Sequence, residues 1–366
     1  MGKLKNILTL VLSAGFIAVF TVWSIASPDK AESLSERRLL TKFPTLSAQT
    51  VADGTFMSGF EKYSLDQFPL RDSFRTLKAY TALGVFRERD NGGIYLADGH
   101  VSKLDFQTNT DSAKYAARRF SYVYDKYLKD SGAEVYLSLI PDKNYFLAKK
   151  NGYPATDYAA LTDTLTGAFY QAKYIDITGT LAIDDYYRTD SHWRQERIIR
   201  TADALARGMG TAISGEYDVI DTAAKFRGVY YGQSALPLEP DTLLYLENDA
   251  IRSISAYDHE SDSAILVYNT DATDGRDPYE MFLGGAKSIV TVDNPTSVGG
   301  RELILFRDSF GSSIAPLLAE GYSRVTLVDI RYIAPASIGR FINADENTDV
   351  LFLYSTSVIN NSETIK

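Results

Sequence analysis

The chain opens with an uncharged, mostly apolar run from residue 7 to 26, preceded by Lys3 and Lys5. At about 1.5 Å rise per residue, this run just spans the roughly 30 Å of a bilayer's hydrocarbon core. Lysines on the short N-terminal side, with the bulk of the chain after the run, predict a single-pass anchor over 1–27, N-terminus inside and the globular part extracytoplasmic. Secretion after cleavage at Ser24-Ile25-Ala26-Ser27 is the alternative. Residues 28–55 are polar, with scattered prolines and turn residues, and read as a tether. Over 57–83 the apolar positions Phe60, Leu65, Phe68, Phe74, Leu77 and Tyr80 tighten to spacings of three and four, predicting a helix that Pro69 breaks in two.

A helix over 111–130 comes next, and from there strands and helices alternate. The spacing predicts a strand at 133–140, a helix at 158–171 and a short strand at 174–177. Trp193, Ile198, Ala202, Leu205 and Met209 then mark one helical face. Such alternation is the signature of a parallel sheet covered on both sides. Residues 215–300 break the rhythm with short runs at 226–231, 243–246, 265–268 and 289–292 between Gly, Asp, Asn and Pro turns, and read as a mainly antiparallel insertion. Apolar runs at 303–306, 325–328 and 350–354, separated by helix-length segments at 312–320 and 334–343, resume the α/β pattern. The predicted organisation is an α/β domain over 56–366, built as a three-layer αβα sandwich with a mostly parallel sheet and this β-rich insertion.

Composition narrows the chemistry. A formal net charge of −9 without a Lys/Arg cluster argues against wrapping nucleic acid or lying through a dense basic face on anionic lipid. The absence of cysteine removes disulfides, thiolate zinc sites and cysteine nucleophiles. Abundant tyrosine and phenylalanine suit a core, half-buried strands or sugar stacking.

Two stretches carry candidate chemistry: Thr189-Asp190-Ser191-His192-Trp193 and Phe306-Arg307-Asp308-Ser309-Phe310-Gly311. Ser309 follows a strand and precedes a helix, which would put its hydroxyl at the carboxyl edge of the sheet where open α/β folds bind ligands. The first N–H groups of that helix would point at the same spot and stabilise a developing oxyanion. Asp308 and Ser309 are equally ordinary N-cap residues. His192 opens a predicted helix running to Gly208, with Asp190 two positions earlier, a spacing that sets a carboxylate against Nδ1 and leaves Nε2 for a nucleophile. Capping by Asp190 or Ser191 is the competing role. His100 and His259 lie in polar turns and read as solvated, and Asp190 and His192 lack further partners at metal-ligand spacing.

Several segments in order give the chain its resemblance to the DHHW proteins, relatives of the alginate O-acetylation proteins in the SGNH-hydrolase-like superfamily. They are Ser35-Glu36-Arg37-Arg38 with Phe43-Pro44, Tyr63 to Arg71, Pro141-Asp142-Lys143, Thr189 to Trp193, Phe226-Arg227-Gly228, Phe282 to Gly285, Arg307-Asp308-Ser309 and Val328 to Tyr332. Ser191 departs from the name-giving pattern, where histidine is usual. The resemblance implies an SGNH-hydrolase-like fold, Ser309 as nucleophile, His192 as base and Asp190 as its orienting partner, with no cofactor and no metal. It implies as substrate the hydroxyls of an exported polysaccharide, gaining or losing acetyl groups, and as partner a membrane-bound O-acyltransferase that supplies acetyl. An O-acetyltransferase is the expectation; an acetyl esterase with the same triad, or a non-catalytic polysaccharide-binding or assembly protein, is the alternative. Lys143 and Asn144 after a strand end, Gly284 and Gly285 with N–H groups near an oxyanion or simply in a turn, and Asp329, Arg331 and Tyr332 after the next strand are candidate pocket or rim residues.

Overall fold

The uncharged N-terminal run forms one helix, α1 (Gly2–Ala26), with no side chain buried. The computed structural model describes residues 2–366 and divides into two compact units, Met1–Gly92 with Tyr231–Leu238, and Gly93–Tyr230 with Glu239–Lys366. In the first unit, the expected tether holds a small antiparallel pairing of Glu32–Ser33 with Arg38–Leu39 and a short helix at Ala48–Ala52. Pro69 separates α2 (Thr55–Asp66) from α3 (Arg71–Tyr80), as its missing N–H and fixed φ require. Glu36 ties these pieces together by pairing with Arg71 and, at 3.2 Å, with Arg75, while Asp66 accepts from Arg38 and from Thr41. The arginines around Glu36 hold its carboxyl below the usual range despite its partial burial, which works the other way.

The second unit begins its layered part with α4 (Thr110–Val123), β1 (Glu134–Ile140), α5 (Lys143–Leu147), α6 (Tyr158–Ala168), β2 (Lys173–Tyr174) and α7 (Ile199–Gly208). It continues through β3 (Asp218–Phe226), β4 (Asp241–Glu247), β5 (Ser255–Asp258), β6 (Ser263–Ile265) and β7 (Ile289–Asp293). The last part is β8 (Glu302–Arg307), α8 (Phe310–Leu318), β9 (Arg324–Val328) and β10 (Thr348–Ser355). Eight strands make one sheet in the order β6-β5-β7-β9-β8-β10-β1-β2. Strands β9, β8, β10, β1 and β2 run parallel, and β7, β5 and β6 extend that edge antiparallel.

The period of two decides which residue meets which layer. Leu303 and Leu305 of β8, with Leu351 and Leu353 of β10, pack against Ala202 and Leu205 of α7 and Ile314 and Leu317 of α8. Ile304 and Phe306, with Val350 and Phe352, face Ala116 and Phe120 of α4 and Leu161 and Leu165 of α6. Because both faces are covered, these strands read as unbroken apolar runs rather than alternating ones.

Three sequence expectations change. The segment 193–198 is not α-helical; α7 starts at Ile199, after a single 3₁₀ turn at Gln195–Arg197. Trp193 instead bridges Tyr186 as an antiparallel pair, so the apolar spacing from Trp193 to Met209 describes a buried face shared by two kinds of backbone. The run 226–231 ends a strand and enters a short helix, Val229–Ser234. The strands of 215–300 divide, β3 and β4 forming a separate ribbon while β5 to β7 join the central sheet.

Candidate active site

The carboxyl end of β8 carries Asp308 and Ser309 into α8. Asp308 takes the capping role: Oδ1 accepts from Phe310 N–H at 3.0 Å and Oδ2 from Ser355 N–H at 2.8 Å, which ties the loop to the neighbouring β10. Ser309 occupies the N-cap position in αR geometry, and its side chain caps nothing. Gly311 is required by packing, since a Cβ there would lie 2.5 Å from Arg307 Cβ. The expectation of free helix N–H groups at this point needs correction. Phe310 N–H is held by the Asp308 carboxylate, and Gly311 N–H by the Asp308 carbonyl at 3.0 Å.

The second stretch is a tight hairpin-like loop rather than a helix start. Tyr187 N–H donates to His192 O at 3.1 Å and Arg194 N–H to Asp185 O at 2.7 Å, turning the chain back between them. At its tip the Asp190 carboxylate is fully buried. Its Oδ1 accepts from His192 N–H at 3.0 Å and lies 2.6 Å from His192 Nδ1, and its Oδ2 accepts from Val229 N–H at 2.8 Å. A carboxylate can only accept, so Nδ1 carries the proton and Nε2 presents its lone pair. His192 Nε2 lies 2.7 Å from Ser309 Oγ. Thus two side chains 117 positions apart along the chain are in hydrogen-bond contact, and Asp190 both bonds backbone N–H groups, as its capping role has it, and meets the imidazole that reaches Ser309.

Several groups fix that arrangement. The Tyr279 ring stacks on the His192 imidazole, centroids 3.9 Å apart and planes 12° from parallel, with Phe310 at 4.9 Å. Ser313 Oγ accepts from both Tyr279 OH and Trp193 Nε1 at 2.8 Å, coupling the stacked ring and the loop to α8. Asp241 accepts from Arg188 N–H and Thr189 N–H at 2.9 Å, and from Thr189 Oγ1 at 2.6 Å. Gly228 packs so closely that a Cβ there would stand 2.3 Å from Asp190 Cβ. Lys143 points underneath the loop, its Nζ donating to the carbonyls of Tyr187, Arg188 and Asp190 at 2.8, 3.0 and 3.1 Å. Burial pulls this ammonium down to about 7, while the Asp190 and Asp241 charges work to keep it protonated.

Residues 179–328, which hold Asp190, His192, Gly228, Asp241, Tyr279 and Ser309, match the family model described as DHHW protein. Over this segment the chain is similar to that family. A DHHW family protein from Eubacterium siraeum DSM 15702 has a similar structure, with TM-score 0.61 and 21% identity over 75% of this chain and 95% of its own. Bacillus cereus PatB1, solved with a sulfonyl adduct, aligns at TM-score 0.56 and 18% identity over 73% of this chain and 95% of its own. The O-acetyltransferase domain of Pseudomonas putida AlgJ aligns at 0.46 and 14%, over 73% and 92%. No curated protein matches the chain. The first two likenesses establish a shared α/β fold.

The other residues singled out within and around the matched segment are placed differently. Asn144 is buried, accepting from Tyr95 OH at 2.7 Å and donating to Asp105 O at 2.6 Å. Gly284 and Gly285 both have positive φ and form a turn. Gly285 donates its N–H to Phe282 O, and its carbonyl, not its N–H, reaches the strand end by accepting from Arg307 at 3.2 Å and from Ser312 Oγ at 3.3 Å. Asp329 is buried in a double hydrogen bond from Arg331 and stands 3.7 Å from the fully buried Arg307, whereas Tyr332 is exposed. His100 is buried in a β-hairpin, contrary to its reading as solvated; His259 is half-buried, its Nε2 2.7 Å from Thr291 Oγ1. Sequence reasoning missed Asp241, Tyr279, Ser313 and the Val229 amide. Only Gly228, inside the Phe226-Arg227-Gly228 run, gave a local signal, because a close backbone approach needs glycine.

Proposed function

We propose that this chain is an extracytoplasmic O-acetyltransferase acting on hydroxyls of an exported polysaccharide, held at the membrane by α1. The observation that carries the reading is the continuous contact from Asp190 through His192 to Ser309, at 2.6 and 2.7 Å. In this reading His192 Nε2 takes the proton as Ser309 Oγ attacks the acetyl carbonyl of a donor ester. The tetrahedral intermediate expels the donor's leaving group, which carries that proton away, and leaves acetyl on Ser309. A sugar hydroxyl then gives its proton to His192 and attacks the acetyl-serine; collapse returns the proton to Ser309 and releases acetylated sugar. Asp190 holds the imidazole in the Nδ1–H tautomer and offsets its charge when protonated. A membrane-bound O-acyltransferase is the acetyl source in this scheme, and no cofactor is required.

Ser309 and its base should react with a sulfonyl fluoride, the reagent class that leaves a sulfonyl adduct such as the one in Bacillus cereus PatB1. We expect mass spectrometry to find the adduct on the peptide holding Ser309, absent in Ser309→Ala. Incubation with an acetyl ester and an oligosaccharide should yield acetylated sugar. Acetate alone would indicate an esterase. Polymer acetylation unchanged by Ser309→Ala but lost on deletion would make the protein a non-catalytic assembly factor.

A further inference from the structure

The α2–α3 region exposes apolar side chains that the scheme above leaves unused. Leu70, Phe74, Leu77 and Val85 lie on one stripe across α3 and the turn after it, with 52%, 37%, 60% and 72% of their surfaces exposed. Arg71 and Arg75 occupy the other side of α3, where they pair with Glu36. In α2, Met57, Phe60 and Leu65 are exposed as well. Contiguous apolar surface of this kind on a folded unit marks a contact with something other than water.

What it contacts is indicated by α1. Phe20 stacks on Phe68 at 5.2 Å and meets Phe74 edge-on at 5.6 Å, and Phe68 and Phe74 meet each other at 5.6 Å. Phe20 stands six residues before the end of α1, which at 1.5 Å per residue is about 9 Å of helix. A span that enters hydrocarbon near Ile7 leaves it near Ala26, so rings stacked on Phe20 share the depth at which amphipathic helices seat, about 5–10 Å into the headgroup and acyl boundary. Trp23, one turn nearer the end, is a residue type that favours this interface. It also lines a cavity of about 750 Å³ together with Phe68, Pro69 and Leu70, whose polar wall carries Lys30 and Arg71 among the carboxylates Asp29, Glu32, Asp66 and Asp72. Residues 28–92 carry ten Lys and Arg against nine Asp and Glu, whereas the chain as a whole is −9. Anionic lipid therefore does not repel this segment as it would the rest.

We propose that the exposed faces of α2 and α3 insert into the outer leaflet beside α1, making residues 55–86 an interfacial platform. This rests on reading α1 as an uncleaved anchor. A peripheral protein partner is disfavoured because the stripe continues directly from a helix that lies in lipid.

The natural absence of cysteine allows single-site labelling of the full chain. Leu77→Cys and Val85→Cys, at exposed positions that packing does not constrain, would carry a nitroxide, with Tyr170→Cys, 79% exposed, as the aqueous reference. The full chain is reconstituted alone in nanodiscs of phosphatidylcholine and phosphatidylglycerol, and collisions with oxygen and with a water-soluble nickel chelate are compared. The expected result is an oxygen-to-nickel ratio severalfold higher at 77 and 85 than at 170. Ratios equal to that at 170, in chain retained by the discs, overturn the platform while leaving the anchor standing. Chain recovered outside the discs without residues 1–26 overturns both. Labels that are watery in these discs but shielded in native membranes would assign the face to a protein partner and also sink the proposal.

Discussion

Lys143 shows how one buried charge can govern the loop that holds Asp190 and His192. Its three carbonyl acceptors belong to the segment that ends in Asp190, so a neutral, shorter side chain would leave buried acceptors unpaired, at a cost of about 1–3 kcal/mol each. Burial lowers the ammonium from its ordinary 10.5 to about 7. Between those two values the unfolded chain holds a proton that the folded chain has released, and stability rises with pH wherever the unfolded state binds more protons. Urea unfolding at stepped pH should therefore show wild type gaining stability over Lys143→Met from pH 7 towards 10.5, with the two curves parallel below 7. Curves parallel across the whole range would mean that the carbonyl cage keeps the proton affinity ordinary. The sequence placed Lys143 after a strand end but not its direction, because a side chain that turns inward beneath a loop leaves no periodic trace.

At the scale of elements, the strand–loop–helix that presents Ser309 was legible because β8 carries an unbroken apolar run, α8 carries Ile314, Leu317 and Leu318 at helical spacing, and the turn between them is short. The 185–194 loop was not. Trp193 was grouped on one helical face with Ile198, Ala202, Leu205 and Met209, yet Asp190 bonds the His192 N–H and the Tyr186–Trp193 bridge holds the backbone extended. A buried face can be tiled by either backbone, and spacing alone does not distinguish them. The loop's position depends on Gly228, where a Cβ would meet Asp190 Cβ at 2.3 Å and Thr189 O at 2.5 Å. Backbone cannot yield cheaply, so Gly228→Ala should push Asp190 and the imidazole away from Ser309. A displacement on the order of 1 Å costs about 10²-fold in rate. We expect turnover of an acetyl ester to fall by that order while far-UV circular dichroism stays native; unchanged turnover would mean that the 226–229 turn can move without disturbing His192.

Across the layered unit, the parallel strands and their covering helices followed from unbroken apolar runs, whereas the partners of 255–293 did not. Strands β5 and β7 carry the same kind of sequence as the separate ribbon β3–β4, and only non-local pairing decides that one set extends the central sheet. That sheet is shared by two cores. Trp193 lies in the core with α7 and α8, and Phe120 in the opposite one, against Phe352 at 4.8 Å and Tyr354 at 5.1 Å. Strands whose alternate residues serve both cores cannot lose one layer and keep the other, so the layers should unfold together. In a Trp23→Phe background Trp193 is the sole tryptophan and reports only its own side. Phe120→Ala should destabilise by about 3–5 kcal/mol, and its denaturant midpoint should fall equally by Trp193 fluorescence and by circular dichroism. A Trp193 transition left where it was would mean that the layer holding Asp190, His192 and Ser309 in register stands without the one behind it, and that the site's geometry is set by the loop contacts alone.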